Sequence, residues 1–183
     1  MRLLAKWNQA YNLTAVRDPA QMIPRHLLDS LAALPYVQGP RVLDVGSGAG
    51  LPGIPLALAR PDWQLTVLDS NSKKTRFLTQ AKAELKLTGF EVVHARVEDF
   101  RPPEGFDTVI TRAVGRMSAV LAGCRPLIRP GGRFVALKGE YPADELAELK
   151  DYAPADTRTE VARLSVPGLK AERHVVVLSP GAA

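Results

Sequence analysis

Cysteine is almost missing from this 183-residue chain: Cys124 stands alone, so no intramolecular disulfide and no cysteine-rich metal site can form. A lone thiol suits a reducing compartment, and a cytoplasmic protein is expected. Long apolar runs are missing too. The longest candidates, such as residues 51–59, fall far short of the roughly 20 residues that span a bilayer. Around Arg2 and Lys6 the first apolar stretch is broken at once by Asn8 and Gln9, so no signal peptide is expected. Gly (14) and Pro (15) are not in excess, and no repeat or linker-like segment occurs, which excludes collagen-like and low-complexity chains.

What is present is the composition of a folded globular protein, with 46% hydrophobic and 23% charged residues. One domain over residues 1–183 is expected, made of an N-terminal helical extension (1–38) and an α/β core (39–183). The formal charge of +5 suits a polyanionic partner such as nucleic acid.

From residue 41 the pattern alternates. Short apolar runs at 41–45, 64–68, 91–94, 106–111 and 133–137 read as strands. Between them, 52–59, 73–87 and 117–128 read as helices; Phe77, Leu78, Ala81 and Leu85 recur at helical spacing, and Pro130-Gly131-Gly132 stops the third helix. Such alternation predicts right-handed βαβ units and a mainly parallel sheet covered on both faces. Before residue 41 two helical pieces are expected, at 3–11 and 22–36. After Lys138 come a helix at 143–152 and two strand-like runs, 157–164 and 173–178, joined through Pro167-Gly168 as an antiparallel edge hairpin. Seven strands result.

The sharpest signal follows the first strand: Asp44-Val-Gly46-Ser-Gly48-Ala-Gly50-Leu51-Pro-Gly53. Glycines let backbone approach a ligand without a Cβ in the way, and in an open α/β sheet this is the crevice where cofactors bind. Gly48, Gly50 and Gly53 fit the dinucleotide pattern G-x-G-x-x-G; Asp44, Gly46, Gly48 and Gly50 equally fit D-x-G-x-G-x-G. Asp69, ending the second strand, suits either, since an adenosine cofactor presents ribose hydroxyls to an acid there.

Later residues favour the second pattern. Ala95-Arg96-Val97-Glu98-Asp99 ends the third strand, and Pro130-Gly131-Gly132 introduces the fifth. With D-x-G-x-G-x-G, these features resemble the Rossmann-like class I S-adenosyl-L-methionine-dependent methyltransferases, whose sheet ends in an antiparallel hairpin. The resemblance narrows on Arg25-His26-Leu-Leu-Asp29-Ser30, on Gly50-Leu-Pro-Gly-Ile-Pro55, and on Leu68-Asp-Ser70. Arg96-Val-Glu98, Thr111-Arg-Ala113, Ala136-Leu-Lys-Gly139 and Glu172-Arg-His174 extend it nearly end to end. Together they resemble the bacterial 16S rRNA guanine-N7 methyltransferase family, also called glucose-inhibited division protein B.

That resemblance implies S-adenosyl-L-methionine as cofactor, no metal, and methylation of guanine 527 at N7 in 16S rRNA, on naked RNA or a small-subunit particle. It places Asp44, Gly46, Gly48, Gly50 and Leu51 around the cofactor, Asp69 on the ribose, Val97 and Glu98 at the adenine, and Arg112 at the cofactor or active site as a positioning residue. Candidate RNA phosphate contacts are Arg25, His26, Lys73, Lys74, Arg76, Arg116, Lys138 and Arg173. Arg25, His26 and Asp29 can equally form a structural cluster on one helix face. Trp7 and Tyr11, at i,i+4 spacing, are expected to pack together, with base stacking as the lesser alternative, and His94 to lie in the core.

Guanine N7 carries a free lone pair and no proton, so alignment supplies most of the acceleration and no general base is needed. Absences agree. The Asx-Pro-Pro-aromatic motif of exocyclic amino methylation does not follow the fourth strand, where Thr111-Arg-Ala-Val stands, and Pro102-Pro103 falls before that strand. Pyrimidine carbon methylation needs a cysteine nucleophile, whereas Cys124 lies within an expected helix. Two rivals remain: an NAD oxidoreductase, and a non-catalytic RNA-binding module that responds to S-adenosyl-L-methionine. A monomer without membrane partners is expected.

Overall fold

The structure, a computed structural model of the chain, describes residues 1–112, 115–152 and 156–180. Ala113 and Val114, which complete the Thr111-Arg-Ala-Val stretch, lie outside the described residues.

Helix α1 (Arg2–Tyr11) ends at Asn12, whose left-handed backbone closes it. Helix α2 (Pro19–Met22) starts where the Asp18 side chain accepts from the Ala20 N–H. It runs through a π-helical segment (Ile23–Leu28) into α3 (Asp29–Leu31). The single helix expected over 22–36 is therefore interrupted. Pro24 lacks the N–H that an α-turn uses, and the chain widens there to i→i+5 bonding.

Then come β1 (Arg41–Val45), α4 (Gly53–Ala59), β2 (Gln64–Asp69), α5 (Ser72–Leu85), β3 (Phe90–His94), β4 (Phe106–Arg112) and α6 (Met117–Cys124). They are followed by β5 (Ile128–Lys138), α7 (Ala143–Tyr152), β6 (Thr157–Arg163) and β7 (His174–Pro180). The expected helix over 117–128 stops early, because Pro126 forces a short 3-10 turn at Arg125–Leu127. β5 accordingly starts before Pro130 instead of after Gly132. Its pairing with β4 jumps from Phe106↔Ile128 to Thr108↔Arg133, so residues 129–132 bulge outward around Gly131 at φ +79°.

The sheet order is β3-β2-β1-β4-β5-β7-β6. β1 to β5 pair in parallel, and β7 runs antiparallel to both β5 and β6. This is the expected fold class: a mainly parallel seven-stranded sheet closing in an antiparallel hairpin, with helices around it. Alternate residues of the central strands feed two cores. Val42, Ile110, Val135 and Val177 join Leu56, Leu78 and Leu4 on one side; Leu43, Val109, Phe134 and Val176 join Met117, Leu121 and Cys124 on the other. Buried positions on both faces are why these strands read as unbroken apolar runs. Strand order reverses between β1 and β4, so the crevice lies beyond their carboxyl ends. No helix is long and apolar enough to cross a membrane among the described residues.

Candidate functional site

Residues 46–50 make a tight turn off the end of β1, tied to its neighbour. The N–H groups of Gly46 and Ser47 both donate to Leu68 O, at 2.8 and 3.1 Å, and the Ser47 hydroxyl donates to Asp44 O at 2.7 Å. Gly46, Gly48 and Gly50 take φ of +68°, +56° and +76°. At Gly50 packing adds a second constraint: a Cβ would collide with the Ile54 side chain and approach Leu78 Cδ2 to 2.9 Å. At Gly48 a Cβ would meet nothing nearer than Gly46 O at 3.8 Å, so that face of the turn is open.

Two aspartates flank the turn and differ in environment. Asp44 is fully buried; its Oδ2 accepts the Gly53 N–H at 2.9 Å, while Oδ1 has no partner among the described residues. Burial pushes this carboxyl up to about 7, against the opposing pull of the Gly53 bond, Ser47 and the Arg112 charge. Because it titrates near 3.8 when unfolded, the folded chain holds the proton more tightly. That contribution to stability is whole below 3.8 and is lost as pH rises through about 7. In Asp44→Asn the corresponding slope should vanish. Denaturant unfolding of both proteins should give a wild-type-minus-variant difference that falls from about pH 4 to 7 and is flat above; a difference independent of pH would refute the shift.

Asp69 is 5% exposed. Its Oδ2 accepts the Gly48 N–H at 2.9 Å and lies 3.6 Å from Lys74 Nζ, and its Oδ1 accepts the Asn71 N–H at 2.9 Å. One carboxylate thus links the glycine turn to the start of α5. Beside it opens a cleft of about 450 Å³ lined by Gly46, Leu68, Asp69, Lys74, Val97 and Glu98, among others. That size is within the range of small-molecule and cofactor sites. Val97 and Glu98 sit in a 3-10 turn after β3, held against α6 so closely that a Cβ on Gly123 would stand 3.0 Å from Val97 Cγ1. A second hollow, of about 330 Å³, lies by the β5 bulge at the opposite end of the strands and has no such turn.

Gly46, Asp69, Val97 and Glu98 therefore meet in one cleft. Asp44, Gly48, Gly50 and Leu51 do not line it: Gly48 is tied to Asp69, Asp44 is buried behind the turn, and the buried Leu51 is fastened by its N–H to Ser47 O at 3.1 Å. Arg112, at the end of β4, turns toward the N-terminal helices: Nη1 donates to Asp29 Oδ2 at 3.2 Å and Arg25 O at 3.3 Å. Arg173 Nε donates to the other Asp29 oxygen at 2.9 Å. This buried Asp29 between two arginines joins residues 83 and 144 positions apart, a pairing that spacing along the chain does not announce.

Other candidate RNA residues divide by partner. Lys138 Nζ donates to both oxygens of Glu145, each at 2.8 Å, and Arg116 pairs with Glu148. Burial works to raise the Glu145 carboxyl, yet its bonds from Lys138 and the Met117 N–H outweigh that and hold it below the usual range. Arg25, Lys73 and Arg76 are exposed. His26 is buried; its Nδ1–H donates to Arg25 O at 3.0 Å, which leaves Nε2 to accept the Thr14 hydroxyl at 2.8 Å. Burial, then the Arg112 charge, lower its pKa, so the ring is neutral and both nitrogens serve the N-terminal fold. His94 departs from its expected place. It is exposed, not in the core, and its Nε2 meets Ser70 O at 3.0 Å, because β3 is an edge strand covered incompletely. Trp7 and Tyr11 do pack, with centroids 5.1 Å apart. Cys124 is buried, and burial raises its thiol to about 12, as suits a structural cysteine. No group of three His, Cys, Asp or Glu that would hold a metal occurs among the described residues.

A sequence model of the family described as rRNA small subunit methyltransferase G matches residues 1–176. A protein of Laribacter hongkongensis with that name is 54% identical over 179 residues, covering 97% of this chain and 84% of its own. One from Escherichia fergusonii, also so named, is 50% identical over 181 residues, covering 98% and 86%. Among solved structures, the N-methyltransferase NodS from Bradyrhizobium japonicum WM9 in complex with S-adenosyl-L-homocysteine aligns with a TM-score of 0.68. Its identity is 15%, and the alignment covers 97% of this chain and 100% of NodS. The O-methyltransferase TomG from Streptomyces achromogenes, in complex with SAM, gives 0.66 at 18% identity, covering 98% and 88%. At such identities these two share the fold.

Proposed function

Since the chain belongs to the rRNA small subunit methyltransferase G family, we propose that it transfers a methyl group from S-adenosyl-L-methionine to N7 of a guanosine in 16S rRNA. It would do so in the cytoplasm, on RNA or on a small-subunit particle. When bound, the cofactor supplies an electrophilic methyl on a sulfonium.

The observation that carries this reading is the Asp69 carboxylate at the lip of the cleft, already gripping the Gly48 N–H. It is placed to accept a ribose hydroxyl while keeping the turn shaped. Gly46, whose N–H is given to Leu68 O, offers its backbone carbonyl, and Val97 with Glu98 gives the adenine an apolar face and an acceptor. Arg112, at the end of β4 and held by Asp29, would act as a positioning residue for the arriving base. The chain would supply alignment and no base, since N7 would take the methyl from the sulfonium with its own lone pair and would have no proton to lose in that step.

A dinucleotide reading fares worse for a physical reason. A pyrophosphate needs free N–H groups where the helix begins, and at α4 the Gly53 N–H is already given to the buried Asp44 carboxyl. The test is transfer of labelled methyl from S-adenosyl-L-methionine to 16S rRNA and to small subunits, followed by strand scission specific for 7-methylguanosine. Label at one such nucleotide is expected. Label on another atom would overturn the N7 assignment. Binding of NAD alone would overturn the whole reading, as would RNA binding without transfer.

A further inference from the structure

Outside the cleft, α1 and the first turns of α5 surround one exposed aromatic ring with positive charge. Trp7 anchors α1. Its ring meets Phe77 edge-on at 5.7 Å between centroids, and its Nε1–H donates to Gln80 Oε1 at 3.0 Å. One turn further along α1 is Tyr11; one turn back along α5 from Phe77 is Lys73, whose Nζ lies 6.0 Å from the Tyr11 ring centroid. The helices are therefore antiparallel, and α1 delivers Tyr11 to the N-terminal end of α5. That end is also the lip of the cleft, since the neighbouring Lys74 lines it and faces Asp69.

Tyr11 is 44% exposed. Arg17, Lys73 and Arg76 are exposed as well, and none of the three pairs with a carboxylate among the described residues. Arg17 is steadied at Tyr11's end of α1 by bonds to Asn8 O and Asn12 Oδ1. A wet π-face beside uncompensated cations is the chemistry of single-stranded nucleic acid recognition, in which a base stacks and neighbouring phosphates meet the charge.

We propose that Tyr11, with Arg17, Lys73 and Arg76, forms a subsite for an unpaired nucleotide of the substrate RNA, next to the nucleotide whose base enters the cleft. The base stacks on Tyr11. The Lys73 ammonium, on its flexible stem, leaves the ring for that nucleotide's phosphate. This rests on the RNA methylation reading above and adds to it how the RNA is held open at the lip.

The test uses the full chain and a labelled single-stranded oligoribonucleotide carrying small-subunit rRNA sequence, read by fluorescence anisotropy across a salt series. Tyr11→Ala should weaken binding roughly fivefold to a hundredfold at an unchanged salt slope. Tyr11→Phe should bind like the wild type. Lys73→Ala should weaken binding and flatten the slope by about one. Affinity for S-adenosyl-L-methionine by calorimetry should be the same in all four proteins, which separates a stacking role from damage to the fold. Wild-type affinity in Tyr11→Ala overturns the subsite, as does equal loss in Tyr11→Phe, or displacement of the RNA by polyglutamate with Tyr11 dispensable. If the wild type binds RNA through Tyr11 yet transfers no methyl, the subsite stands and the methylation reading falls. If it methylates and Tyr11→Ala changes nothing, only the subsite falls.

Discussion

Asp29→Ala should lower the melting temperature by about 6–12 °C. Asp29 is buried, with one oxygen on Arg112 and the other on Arg173. Removing it strands two guanidinium groups that are themselves only about a quarter exposed or less. Breaking such a buried pair from one side costs on the order of 3–5 kcal/mol, and partial exposure of the arginines argues for the lower figure. For a domain of this size each kcal/mol moves the midpoint by about 2–4 °C.

Calorimetry would measure the loss, and a shift below about 2 °C would show that the arginines find other partners. Asp29→Asn separates charge from shape: it keeps both oxygen-side positions filled while removing the charge, and should retain part of the stability. A double-mutant cycle with Arg173→Ala should show coupling between the two sites, since each single change removes the same contact. Because Arg112 is held by this carboxylate, methyl transfer should fall further than the folded fraction does.

Asp69→Ala should weaken S-adenosyl-L-methionine binding by about tenfold to a hundredfold, from a charge-assisted hydrogen bond worth roughly 1.5–3 kcal/mol. The structure adds a reason for the upper end. The same carboxylate accepts the Gly48 and Asn71 N–H groups, so alanine removes the proposed ribose acceptor and also loosens the glycine turn beside the cleft. Asp69→Asn keeps an acceptor for one of those N–H groups and should fall between. Isothermal titration gives the affinities directly. An unchanged dissociation constant in Asp69→Ala would remove this residue from the site.

Local pattern carried much of this architecture. Strands buried on both faces show as apolar runs, and Phe77, Leu78 and Ala81 mark the buried stripe of α5, because burial on one side imposes its own period on the chain. Proline and glycine misled where they act through geometry that pattern does not contain. Pro126 ended α6 early, and residues 129–132 bulged within a strand instead of preceding it. Pro24 shifted the N-terminal helix into π bonding without stopping it.

The cleft shows the same division. The order of residues alone determined the glycine turn, the acids that flank it and the alternating strands and helices, since each depends on neighbours within a few positions. Only the tertiary structure decided which charges are spent and which are free. It gave Lys138 to Glu145, Arg116 to Glu148, and Arg112 and Arg173 to Asp29, buried His26 against Thr14, and left Arg76 in solvent and Lys73 in solvent beside Tyr11. A charge's fate depends on what the folded chain sets within a few ångströms of it, and those partners come from sequence positions that no local pattern links.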